Sequence, residues 1–86
     1  MENILIAMVE IEFPDGKRQI KMILRESCDL EDCEEDKIII LNLFDGTNYT
    51  GVFKGVDDEC VKLRALNNIA TLAFELSWVK DYLEQL

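Results

Sequence analysis

Asp57, Asp58 and Glu59 set three carboxylates side by side, and Glu75 adds another acid in a later strand-like run. Adjacent carboxylates can share protons or hold a divalent ion. Three acids between apolar runs, however, are first of all a solvated turn, and that is the reading adopted for Asp57–Glu59. The sequence contains no His, so the usual general base is missing, and Ser27 and Ser77 have no nucleophile-activating pair near them. Three cysteines, Cys28, Cys33 and Cys60, are an odd number and read as reduced thiols. The CDLEDC spacing is too long for a zinc knuckle and no second CxxC exists. No catalytic, cofactor or metal set is therefore expected, and the chain reads as non-enzymatic.

Charge narrows the partners further. Among 86 residues there are 18 acids and 9 bases, a formal net charge of −9. Seven of the acids lie in residues 26–36 (ESCDLEDCEED), which hold no base and no glycine. Without that glycine the run lacks the sharp bend of a calcium loop, and it reads as an acidic loop held open by its own repulsion. The strand residues Lys54, Lys62 and Arg64 are the one lateral set that would meet RNA, and only weakly. No apolar run approaches the ~20 residues of a membrane-spanning helix. Glu2, Glu10 and Glu12 stand where a signal peptide would carry bases, so the expected location is cytoplasmic.

The elements that must position these residues are short strands. Val9, Ile11 and Phe13 alternate with Glu10 and Glu12, Pro14-Asp15-Gly16 supplies turn chemistry, and Arg18–Leu24 returns. This predicts an N-terminal β-hairpin over 1–25. Lys37–Phe44 (KIIILNLF) is apolar at nearly every position, as expected of a strand covered on both faces or lying at a subunit contact. Asp45-Gly46 turns, and Asn48–Val56 follows with Gly51 and Gly55 marking bends. Cys60–Leu66 and Ile69–Leu76 are further strands, separated by a turn at Asn67-Asn68. Leu41, Leu43, Val61, Leu63 and Phe74 are the expected core. At the C-terminus Val79, Tyr82, Leu83 and Leu86 match a helical stripe with Ser77 as its cap, and periodicity favours a helix over a strand there. The expected fold is a single, mainly all-β domain in three parts: a hairpin over 1–25, an acidic loop over 26–36 and a small, strongly bent barrel over 37–86.

From about Leu41 to Phe74 the sequence resembles the Sm-like proteins, and within them most closely the bacterial RNA chaperone Hfq. The resemblance is carried by LFDGTNYTGVFKGVDDECVKLR: an apolar strand, a turn ending in Gly46, four residues, Gly51, five residues, Asp57, and then a Cys-Val-x-Leu-Arg strand. It implies a bent five-stranded barrel and rings built by pairing the fourth strand of one subunit with the fifth of the next. It also implies that the Asp57–Glu59 turn and Glu75 face a pore. There the family places a base-stacking aromatic and a Tyr-Lys-His run; this chain has Glu59 and Phe74-Glu75-Leu76. A ring lined with Asp57, Asp58, Glu59 and Glu75 would repel phosphate. The expectation is thus a homo-oligomeric scaffold, ring or dimer, that binds another protein and has lost pore-type RNA binding. Alternatives are a ring that binds RNA weakly through Lys54, Lys62 and Arg64, or a monomeric SH3-like module using Tyr49, Phe53 and Trp78 on a peptide.

Overall fold

The computed structural model describes residues 4–67 and 69–86; the predicted turn residue Asn68 lies outside them. Seven strands form one antiparallel sheet: β1 Ile6–Phe13, β2 Gly16–Glu26, β3 Ile38–Leu43, β4 Asn48–Asp57, β5 Cys60–Arg64, β6 Thr71–Glu75 and β7 Val79–Gln85. Their order across the sheet is β1-β2-β7-β3-β4-β5-β6. The fold is all-β, and the hairpin is present. Phe13 pairs with Gly16 across a Pro14-Asp15 loop, with Gly16 at φ 136°.

β3 explains its own composition. Ile39, Leu41 and Leu43 point into a cluster with Phe53, Val61, Leu63, Phe74, Val79 and Tyr82. Ile40 points the other way, joining Ile11 and Met22 in a second cluster to which Ile38, Val9, Ile20 and Leu66 add. The strand is therefore covered on both faces by its own chain: the N-terminal hairpin supplies the second cover. All five residues expected in the core are buried.

β4 bends where the glycines stand. The β4–β5 register shifts between Phe53 and Val56, and Gly55 within that bulge has φ 103°. Gly51 serves a different need, because a Cβ there would stand 2.7 Å from the Arg64 carbonyl oxygen. Backbone cannot yield as a flexible side chain can, so only glycine admits this approach.

Two segments differ from the sequence expectation. The C-terminus is a strand, preceded by a short 3-10 helix at Leu76–Trp78. β7 is hydrogen-bonded on both sides, to β2 and β3, and these ladders override the helical pattern. The pattern itself comes from a bulge. Asn42 pairs with Asp81 but Leu43 with Val79, so Lys80 is an extra residue and Val79 and Tyr82 both turn inward three positions apart. The second difference is the acidic loop, which is a 3-10 helix over Ser27–Asp32. Leu30, fully buried, closes the main cluster, while Glu31, Asp32, Glu34, Glu35 and Asp36 are exposed. One apolar anchor holds the acids against the barrel.

Candidate functional site

Asp58 and Glu59 form the two-residue loop between the Asp57–Cys60 pair, and both have left-handed backbone, at φ 54° and 63°. That is the geometry of a type I′ hairpin turn, with Asp58 and Glu59 in the places where Asn-Gly is favoured. β6 lies beside β5 with Glu75 opposite Cys60, and the Leu76 N–H donates to the Glu59 carbonyl. The topology thus gathers Asp58, Glu59 and Glu75 at one end of the barrel. Glu31 joins them from the 3-10 helix, around a cleft of ≈ 590 Å³ that Ser27 and Cys28 also line. Asp57 turns aside, with its carboxylate 3.7 Å from Lys62. No group of three or more His, Cys, Asp or Glu among the described residues has the arrangement to hold a metal ion. The cleft is an acidic wall, and the chemistry it offers is repulsion of anions.

The lateral bases are also compromised. Lys54 Nζ sits 2.5 Å from Asp36 Oδ1, and this contact holds the Asp36 carboxyl below its ordinary range. Arg64 is exposed and adds its field to the same carboxylate. Lys62 faces Asp57. Both lysines of the set already have an aspartate beside them.

The environments of Cys28 and Cys33 favour the neutral thiol. Burial is the largest cause that pushes the Cys33 thiol up to about 12, followed by the influence of the Glu84 carboxylate. Burial likewise raises Tyr82, with the charges of Cys33 and Glu84 adding to it. The exposed Cys28 is raised too, by desolvation first and then by the charge of Asp29. Thiolates are the reactive form, and all of these shifts disfavour it at neutral pH. A pH prediction follows from the signs. Cys33 and Tyr82 are raised in the folded state, so folding favours their neutral forms; that stability is complete below pH 9 and is lost as pH rises from about 9 to 12. The melting temperature should fall between pH 9 and 11, and fall less in Cys33→Ala. A melting temperature independent of pH across this range would contradict the assignment.

The aromatic set divides. Phe53 is 1% exposed, a core ring that offers no face to a ligand. Tyr49 lies against Phe74, with ring centroids 4.7 Å apart. Trp78 is 51% exposed, and its neighbour is Phe44, 69% exposed, whose N–H donates to the Trp78 carbonyl at 3.1 Å. Together with Leu43, Asp45 and Ser77 they line a cleft of ≈ 410 Å³. Asp45 Oδ1 accepts bonds from the Thr47 N–H at 2.9 Å and the Thr47 hydroxyl at 2.6 Å, which hold its carboxyl below the ordinary range. Phe44 was not singled out in the sequence, although alternation in β3 carried the signal: Leu41 and Leu43 point inward, so Phe44 must point out. Comparison with known proteins adds no relative to this geometry. No family model matches the chain, and neither a curated protein nor a solved structure matches it. Among the described residues, no helix is long and apolar enough to cross a membrane.

Proposed function

We propose that the chain is a non-enzymatic protein-interaction domain built on an Sm-like barrel, docking a short apolar and basic peptide segment at the Phe44–Trp78 cleft. The Sm-like part is supported by the meander β3-β4-β5-β6 with β7 returning beside β3, and by the bend in β4 where the resemblance places it. Rings of that family pair the fourth strand with the fifth of the next subunit. The strand in the fifth position is β7, and β2 occupies its outer edge, so this proposal contains no ring through β7.

The single observation that carries the docking reading is the pair of exposed rings beside a charged carboxylate. Tryptophan and phenylalanine left half or more in water at a cleft are the usual anchors of recognition surfaces. Asp45 and the net charge of −9 set the sign of the partner, which should carry a Lys or Arg beside its apolar anchor. Selection of displayed peptides on the intact protein tests this directly. Enriched peptides are expected to combine an apolar residue with a base, and to lose at least tenfold in affinity for Phe44→Ala/Trp78→Ala while the melting temperature changes little. Peptides that bind the double variant equally well would remove the cleft from consideration.

A further inference from the structure

Six of the eleven large hydrophobic side chains exposed among the described residues crowd one corner of the sheet: Ile4, Leu5, Ile6 and Met8 with Leu24 and Leu86. Ile6 and Met8 lie on β1, which has no strand beyond it among the described residues and so is an edge of the sheet. The direction of its free backbone groups follows from one bond. Leu24 N–H donates to the Leu5 carbonyl at 3.0 Å, and the register places those two residues opposite each other. Leu5 is therefore in a hydrogen-bonded pair with β2, as are Ala7, Val9 and Ile11 by the two-residue repeat of an antiparallel ladder. Ile6, Met8, Glu10 and Glu12 consequently turn their N–H and C=O groups outward. Ile6 and Met8 also carry exposed apolar side chains, at 50% and 58%. An edge that shows both unpaired backbone and apolar side chains is a template for another strand.

We infer that this edge is where a second copy of the chain binds, β1 against β1 antiparallel about a two-fold axis at Ala7. Two features select a copy over a foreign strand or the other free edge, β6. First, the edge is self-complementary. Pairing about Ala7 sets Ile6 opposite Met8 of the second copy and Leu5 opposite Val9, so outward residues meet outward residues and bond on both sides. It also sets Glu10 opposite Ile4, so that no glutamate of β1 faces one of its counterpart among residues 4–10. Second, β6 carries Glu75 beside Glu59, and joining it to β1 would bring Glu10 and Glu12 toward these acids. The contact joins two seven-stranded sheets along one strand and covers the apolar corner from both faces. An interface of this kind lies near the lower limit of stable ones, on the order of 1,000–1,200 Å², which predicts a dimer with micromolar affinity. It is independent of the Phe44–Trp78 cleft, which lies elsewhere and remains open.

Sedimentation velocity and native mass spectrometry on the full chain, from about 1 to 200 µM, are expected to show a monomer–dimer equilibrium. Met8→Pro removes an outward N–H and no β1–β2 bond, and proline is tolerated at an edge position of this kind. It should weaken dimerisation at least tenfold with the circular dichroism spectrum unchanged. Ile6→Lys sets a charge opposite Met8 and should weaken it similarly, and adding Met8→Glu to the same chain should restore it through opposite charges across each pair. A wild type that stays monomeric at 200 µM, assembles beyond a dimer, or dimerises equally well as Met8→Pro would overturn the proposal. A dimer that Ile6→Lys strengthens would overturn the register at Ala7.

Discussion

Phe53→Ala is expected to cost about 3–5 kcal/mol of folding stability, whereas Trp78→Ala should cost less than about 1 kcal/mol. The difference is one of burial. Phe53 is 1% exposed and packs among Leu41, Leu63 and Tyr82, so truncation loses its transfer energy and leaves a cavity at the centre of the main cluster. Trp78 is half in water and has little to lose. An 86-residue domain has roughly 4–13 kcal/mol of stability in all, so the Phe53 variant should be partly unfolded at room temperature if the total lies at the lower end. Urea denaturation followed by circular dichroism measures both. A loss below about 1 kcal/mol for Phe53→Ala would return that ring to the surface and with it to the candidate peptide site.

Phe53 also shows how a sequence can state a position and still leave its use undecided. Gly51, Phe53 and Gly55 read as a bent strand, and the bend is there, but an aromatic in a bent strand fits a core and a groove equally well until the neighbouring strands are placed. Only the β5 pairing decides, by setting Leu63 opposite Phe53 and turning both inward. β3 was legible in the same limited way. Its all-apolar run required cover on both faces or a subunit contact, and the choice between them rests on the N-terminal hairpin folding across it, a contact of long sequence separation with no local signature.

Bulges account for the rest of what the sequence concealed. Pattern reading assumes a constant period, and a single inserted residue shifts the phase of everything after it. Lys80 does this in β7, which is why Val79 and Tyr82 imitate a helical stripe. Among the acids, Leu30 was hidden by composition: one leucine among seven carboxylates leaves a segment polar on average, although that leucine alone decides where the segment sits. Where the period held, the surface was readable. Glu10 and Glu12 mark the exposed face of β1, and extending the alternation backward places Ile6 and Met8 on that same face.

Oligo-uridine at about 0.15 M salt is expected to bind the chain no more tightly than tens of micromolar, and this is where the family resemblance and the physics part. The resemblance implies stacking and phosphate contact at the β4–β5 turn and the end of β6. Asp58, Glu59 and Glu75 occupy those places and are brought around one cleft, with Glu31 added from the 3-10 helix. A phosphate about 4 Å from one carboxylate is repelled by roughly 4 kcal/mol at intermediate dielectric, and the acids act together. The lateral route gives little in return. Lys54 and Lys62 are each within ion-pair distance of an aspartate, so an incoming phosphate must displace an existing partner while releasing few counterions. Binding should therefore appear only at low salt, and should weaken when Lys54, Lys62 and Arg64 are changed to Ala. In Glu59→Phe/Glu75→Lys the turn regains a stacking face and a cation, and affinity at about 0.15 M salt should rise at least tenfold. Submicromolar binding by the natural chain that is lost when Asp58 and Glu59 are replaced would mean that these acids attract the strand after all, which a carboxylate wall can do only through a bridging cation.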